Sequence, residues 1–274
     1  IMKKIIFLIF ILFSLQMVAN QVETLKINSK ILNEEREILI SLPNDYQSNT
    51  DRKYEVVYVL DAQNREYFET VYNTVKFQNY GLAPMIVVGI ISKNRNQDFL
   101  PHVNNQETIE TLAMTGYGNA GKLKKFLANE VFKKINENYR TLPRKLGVGY
   151  SNGGTFLNYS FLRDPDFFDV YFLIDANIGF DKRRLQKDLN STQFNSQITA
   201  AKFIYACSTN QNLEWVNSAK DYYTLLNKKL GSQLIFKKDF FSEESHTTVF
   251  QQAIINAFKS YFRYQYFSAG NLVA

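Results

Sequence analysis

From residue 22 onward the chain switches between two hydrophobic rhythms, and the switches predict alternating strands and helices. Val22 to Ser29 and Arg36 to Leu42 alternate apolar and polar residues, as a half-exposed antiparallel pair does. Tyr54 to Leu60 and Met85 to Ile91 are almost continuously apolar, the pattern of strands covered on both faces. Arg144 to Tyr150, Val170 to Ile174, Lys202 to Cys207 and Leu234 to Phe240 are further strands. Between them, Leu123, Phe126, Leu127, Val131 and Ile135 recur at helical spacing, with lysines on the opposite face. Trp215 to Leu230 and Val249 to Phe262 read as helices too. Strand–helix alternation of this kind predicts an α/β fold: a mostly parallel sheet, an antiparallel N-terminal strand pair, and helices on both faces. In such sheets function collects at the carboxyl ends of the strands.

The N-terminus follows a different rule. Lys3 and Lys4 precede an apolar run from Ile5 to Leu15, and a more polar stretch with Ala19 follows. That is the layout of a secretory signal peptide, so residues 1–20 are expected to be a leader and the protein exported, periplasmic or secreted. A retained N-terminal anchor is the alternative, but the run is short of the about 20 residues that span a bilayer. Residues 21–274 carry no repeat, low-complexity linker or composition break and are expected to form a single domain. With 45% hydrophobic and 21% charged residues, the composition is that of an ordinary globular protein.

Charge and cysteine usage narrow the partners. The net charge of +6 falls to +4 without the two leader lysines. Basic clusters at Lys122, Lys124, Lys125, Lys133 and Lys134, and at Lys182 to Arg184, read as solvated helix faces rather than as a nucleic-acid site. No nucleic acid and, once the leader is removed, no membrane is expected as a partner. Cys207 is the only cysteine, which excludes an internal disulfide, and no spaced Cys/His set suggests zinc. No cofactor is implied.

The chemistry resides in Gly149-Tyr150-Ser151-Asn152-Gly153, a G-x-S-x-G pentapeptide between an apolar strand and a helical run. A serine on so sharp a strand-to-helix turn adopts strained backbone angles, and its flanking residues approach closely enough to require glycine. Ser151 is the expected nucleophile. An unassisted hydroxyl is a poor nucleophile at neutral pH, so a histidine must stand beside it. Of the two histidines, His246 lies after the last strand, where the order nucleophile–acid–histidine places it, and His102 precedes the serine in a polar loop. The acid is expected on the loop after Lys202 to Cys207, where Glu214 is the only carboxylate. Asp175, at the end of the preceding strand, is a second option, and a Ser–His dyad oriented by an amide is a third. Glu243 and Glu244 sit too close to His246 in sequence to be preferred. The oxyanion donors are expected to be the N–H of Asn152 and one from the loop after Tyr54 to Leu60, at Ala62 or Gln63.

Taken in order, these segments resemble the enterochelin-esterase-like, or esterase D-like, branch of the α/β hydrolases. The resemblance rests on Tyr58 to Gln63 (Y-V-L-D-A-Q), on Ile86 to Ile90 (I-V-V-G-I) followed by Asn94, Arg95 and Asp98 to Pro101, on Asn138 to Thr141 (N-Y-R-T), on Phe167 to Asp169, and on Glu244-Ser245-His246. It covers most of the chain after the leader and implies the α/β-hydrolase fold and serine-ester chemistry. Family members hydrolyse siderophore trilactones, acylated sugars and S-acyl glutathione, so a small-molecule ester is the implied substrate. Three departures from the family pattern stand out. Ala62 replaces a glycine, Tyr150 and Asn152 replace the usual His and Leu or Met, and the acid loop lacks Gly-x-x-Glu. Hydrolysis of a carboxylic ester is the leading expectation. A catalytically weakened binding protein and an acyltransferase to a glycan are the alternatives.

Overall fold

The computed structural model describes residues 22–77, 83–103, 105–112, 118–194, 198 and 200–268. The leader expected over residues 1–20 lies outside them. Eight strands form one sheet: β1 (Glu23–Ser29), β2 (Glu34–Ser41), β3 (Tyr54–Leu60), β4 (Met85–Ile90), β5 (Thr141–Tyr150), β6 (Val170–Ile174), β7 (Lys202–Thr209) and β8 (Leu234–Phe241). Their spatial order is β1-β2-β4-β3-β5-β6-β7-β8. β2 is antiparallel to both β1 and β4, and every other neighbouring pair is parallel. This is the α/β-hydrolase arrangement, a mixed sheet with an antiparallel N-terminal end.

The strand faces explain their sequence. β3, β4, β6 and β7 are buried along their whole length, and all four are continuous apolar runs or close to it. β1 alternates exposed and half-buried residues at the sheet edge. The two faces carry separate cores. One, from Ile38 through Tyr58, Phe156 and Leu226, lies under α4 (Ala120–Phe126), α5 (Phe132–Asn138), α6 (Asn152–Arg163) and α8 (Leu213–Leu230). The other, from Val57 through Val148, Phe172 and Tyr261, is closed by α1 (Arg65–Phe77) and α9 (Val249–Ser268). A π-helical turn at Leu127–Val131 joins α4 to α5, so the expected helix from Leu123 to Ile135 is one helix with a bulge. The remaining helices are α2 (Arg95–Phe99), α3 (Gln106–Leu112) and α7 (Phe180–Ser191). Among the described residues no helix is long and apolar enough to cross a membrane.

One buried ion pair fixes the loop after β4. Arg36 on β2 donates from both terminal nitrogens to Asp98, at 2.6 and 2.8 Å, and Ser92 Oγ adds a third bond at 2.7 Å. A two-pronged bond of this kind sets orientation as well as attraction. It holds α2, and with it Arg95 and Asn96, against the end of the sheet.

Candidate active site

β5 ends at Tyr150, and the chain turns at once into α6. Ser151 sits at the turn with φ 54° and ψ −117°, a backbone conformation that L-residues adopt only under constraint. The constraint is visible on both sides. Ser151 N–H donates to Ile174 O at 3.0 Å, and Ser151 O accepts from Thr155 N at 3.0 Å and Asn177 N at 3.2 Å. The glycines divide unequally. A Cβ on Gly149 would meet Gly153 O at 2.4 Å, and one on Gly154 would meet Ala176 Cβ at 2.6 Å. One on Gly153 would find its nearest neighbour, Leu60 Cβ, at an ordinary 3.4 Å. The tight turn therefore needs Gly149 and Gly154, and tolerates more at Gly153.

Positive φ recurs at two neighbouring strand ends, at Asp61 after β3 (61°) and at Asp175 after β6 (41°). Asp175 is fully buried and accepts four hydrogen bonds. Thr209 N at 3.0 Å and Trp215 Nε1 at 2.9 Å donate to Oδ1. Thr209 Oγ1 and His246 Nδ1, both at 2.7 Å, meet Oδ2. Burial alone would raise the carboxyl's pKa, but the bonds from His246, Trp215 and Thr209 outweigh it and hold the group below the usual aspartate value. A carboxylate can only accept, so His246 carries its proton on Nδ1 and leaves Nε2 as an acceptor. The imidazole stacks on Tyr150 at 4.7 Å and meets the Trp215 indole edge to face at 5.0 Å. Tyr150 also donates its hydroxyl to His246 O, which ties the histidine loop to the residue before Ser151. Among the described residues no hydrogen bond joins Ser151 Oγ to the ring.

The acid expected at Glu214 is corrected. Glu214 makes a two-pronged bond to Arg183, 2.7 Å to Nε and 2.8 Å to a terminal nitrogen, and its side chain is 63% exposed. Successive helical residues point about 100° apart. Because Trp215 turns inward to Asp175, Glu214 turns outward. Its partner belongs to a left-handed turn over Asp181, Lys182 and Arg183, with φ of 50°, 56° and 60°. Such a turn costs L-residues about 1–2 kcal/mol each. Lys182–Glu107 at 2.8 Å, Arg183–Asp221 at 2.8 Å and Arg183–Glu214 clamp it. Glu243 and Glu244 shape the histidine loop instead of touching the ring: Glu244 accepts from Thr248 Oγ1, and Glu243 from Ser242 Oγ. His102 offers its carbonyl to Arg184 at 3.5 Å and is exposed.

The loop after β3 is also corrected in part. The Ala62 N–H, one of the expected oxyanion donors, is bonded to Ile90 O at 3.0 Å. Gln63 N–H makes no hydrogen bond among the described residues, while the Gln63 side chain is fixed between Asp61 Oδ1 at 2.7 Å and Ser92 N at 2.9 Å. Asn152 N–H heads α6, where the first helical N–H groups have no partner within the helix. The two loops abut, since a Cβ on Gly153 would lie 3.6 Å from Asp61 Oδ2. The Asn152 side chain bridges two more loops, donating to Asn96 Oδ1 at 2.8 Å and accepting from Asn177 Nδ2 at 3.1 Å. Arg95 pairs with Asp61 at 2.9 Å and is 39% exposed. The sequence pointed to none of Trp215, Thr209, Asn96 and Asn177 as site residues, and to Arg95 only as part of the family pattern. The single tryptophan, on the very loop searched for an acid, was the available signal. Among the described residues no group of three or more His, Cys, Asp or Glu side chains is placed to share a metal ion.

An eight-stranded sheet of this order, with a strained serine after β5 and an aspartate after β6 bonded to a histidine, has the α/β-hydrolase fold. Residues 29–173, just over half of the sequence, match the model of the Esterase family, and the chain belongs to that family of carboxylic ester hydrolases. Solved structures agree on the fold. An IroE-like serine hydrolase from Shewanella oneidensis superposes with a TM-score of 0.73 at 22% identity, over 89% of this chain and 80% of its own. The BES protein from Bacillus cereus gives 0.75 at 21% identity, over 89% and 97%. The siderophore hydrolase EstA from Aspergillus nidulans gives 0.72 at 17%, over 89% and 96%. No curated protein matches this sequence.

Proposed function

We propose that this chain is an exported serine esterase, one domain over residues 21–274 behind a leader at 1–20, that cleaves a small-molecule carboxylic ester through an acyl-enzyme. Ser151 Oγ attacks the carbonyl carbon while His246 Nε2 takes its proton. Asp175 holds the imidazole in the required tautomer and stabilises the imidazolium that forms. The N–H groups of Asn152 and Gln63 receive the developing oxyanion. The imidazolium then returns the proton to the leaving alcohol, and water, activated by the same ring, releases the acid.

One observation supports this reading above all: the strained serine at the head of α6 directly follows a tyrosine that stacks on His246, and that histidine's ring is bonded to a buried aspartate. The substrate class is inferred from company. Structures sharing the fold include proteins described as siderophore hydrolase, enterobactin esterase and ferulic acid esterase. An ester of siderophore or acyl-sugar type fits a site bordered by Tyr67, which packs on Tyr150, and by the half-exposed Arg95. The test is turnover of p-nitrophenyl acetate by wild type and by Ser151→Ala. The variant is expected to lose activity to background, and equal rates would reject the mechanism.

A further inference from the structure

The loop after β7 supplies no acid, yet it closes around the one that is present. Thr209 and Trp215 both donate to Asp175, and they do so on Oδ1, with Thr209 Oγ1 adding a bond on Oδ2. Indole and imidazole thus take opposite oxygens of one carboxylate, at 2.9 and 2.7 Å. The same two rings touch each other, edge to face, at 5.0 Å and 75°. Tyr150 stacks on the imidazole at 4.7 Å and 27°. The backbone beneath the indole is itself fixed: Asn212 caps Trp215 N at 2.9 Å, and Ser218 Oγ donates to Trp215 O at 3.0 Å.

We propose that Trp215 is a positioning residue whose N–H locks the Asp175 carboxylate and whose ring edge braces the His246 imidazole, so that the pair is carried as one unit by the first turn of α8. The proposal rests on the reading of His246 as the base. Its physical content is specific. With the indole donor in place, the carboxylate's charge is shared among four partners. Without it, the bond to His246 carries a larger share, the imidazolium is better stabilised and the ring becomes more basic. The ring also loses the wall that stops it swinging away from Ser151.

Few other titratable groups face this pair. Tyr150, from the end of β5, is kept protonated by burial, with Tyr67 beyond it and Arg95 neutralised by Asp61. Cys207 on β7 and Tyr223 on α8, on the side of Asp175, are also kept neutral by burial. Glu243 and Glu244 flank the histidine in its own loop, bonded to Ser242 and Thr248.

Trp215→Phe removes the donor and keeps an aromatic wall. Its kcat is expected to fall about tenfold with KM within about twofold, as loss of one hydrogen bond to a charged group implies. The acidic limb of its kcat/KM profile is expected to move upward by about half a pH unit. A merely structural tryptophan would lower the melting temperature and leave that limb in place, and this result in a folded variant overturns the proposal. A second readout needs no variant at position 215. Trp215 is the only tryptophan, and a protonated imidazole in contact with an indole quenches its emission. Wild-type emission is expected to fall with pH at the midpoint of the acidic limb, and to be flat there in His246→Gln. Emission that ignores that midpoint, or that titrates unchanged in His246→Gln, overturns the proposal even if Trp215→Phe fails to fold. A wild-type protein without esterase activity would overturn the functional reading instead, while the emission titration with His246→Gln still tests the brace.

Discussion

Replacing Asp175 by asparagine separates the two candidate acids, and the structure dictates how the amide must sit. Oδ1 faces a backbone N–H and an indole N–H, neither of which can accept a hydrogen bond. The new NH2 is therefore excluded from that side and must occupy the Oδ2 position, facing Thr209 Oγ1 and His246 Nδ1. The threonine hydroxyl can turn to accept, and so can a neutral imidazole, but only by moving its proton to Nε2. That tautomer points a proton, not a lone pair, at Ser151 and cannot act as the base. The shape of the site is kept and its chemistry lost, which by the logic of such triads lowers kcat about 10⁴-fold, or about 5 kcal/mol in the barrier. Glu214→Gln changes only an exposed ion pair with Arg183, and such pairs contribute about 0–1 kcal/mol to stability. Its kcat/KM is expected to stay within about twofold of wild type, since the charge is screened by solvent. The assay is p-nitrophenyl acetate hydrolysis by purified wild type, Asp175→Asn and Glu214→Gln, with circular dichroism to verify folding. An Asp175→Asn enzyme near wild-type rate, or a Glu214→Gln enzyme as impaired as Asp175→Asn, would refute the assignment.

Two further outcomes concern stability. Because the folded Asp175 carboxyl lies below its ordinary value, its contribution is present above the unfolded value of about 3.9 and is lost as pH falls through the folded one. In urea titrations wild type should exceed Asp175→Asn at pH ~7, and the gap should narrow below about pH 4; a gap independent of pH contradicts this. At the elbow, Gly149→Ala drives a methyl to within 2.4 Å of Gly153 O, whereas Gly153→Ala places one at 3.4 Å from Leu60 Cβ. Gly149→Ala is expected to lose at least about 1–3 kcal/mol of stability and Gly153→Ala clearly less, and equal urea midpoints would show the clash model wrong.

What the sequence disclosed follows from how locally each feature is encoded. β3 at Tyr54–Leu60 and β6 at Val170–Ile174 coincide with their apolar runs, because a strand buried on both faces must be apolar throughout. α1 escaped notice: its buried stripe is only Phe68, Val71 and Thr74, set among tyrosine, threonine and valine, which favour strands. α7 begins with a left-handed turn that no hydrophobic period announces. Ser151 was legible because an elbow needs a glycine at one fixed offset, an entirely local demand. The histidine's carboxylate partner was legible only as the second option, Asp175, since a carboxylate reaches His246 from whichever strand end tertiary packing brings near, and here that is the end of β6. Ala62 shows the same limit from the other side. Its position after β3 is that of an oxyanion donor, but only the fold reveals that Ile90 O already holds its N–H.

The proposed mechanism depends on an activated hydroxyl on Ser151. A fluorophosphonate probe followed by peptide mapping reads this without any assumption about substrate. One adduct, on Ser151, is expected in the folded wild-type protein, and its labelling rate should collapse in His246→Gln while Glu214→Gln labels normally. Labelling on another serine, or none in a protein shown to be folded, would contradict it.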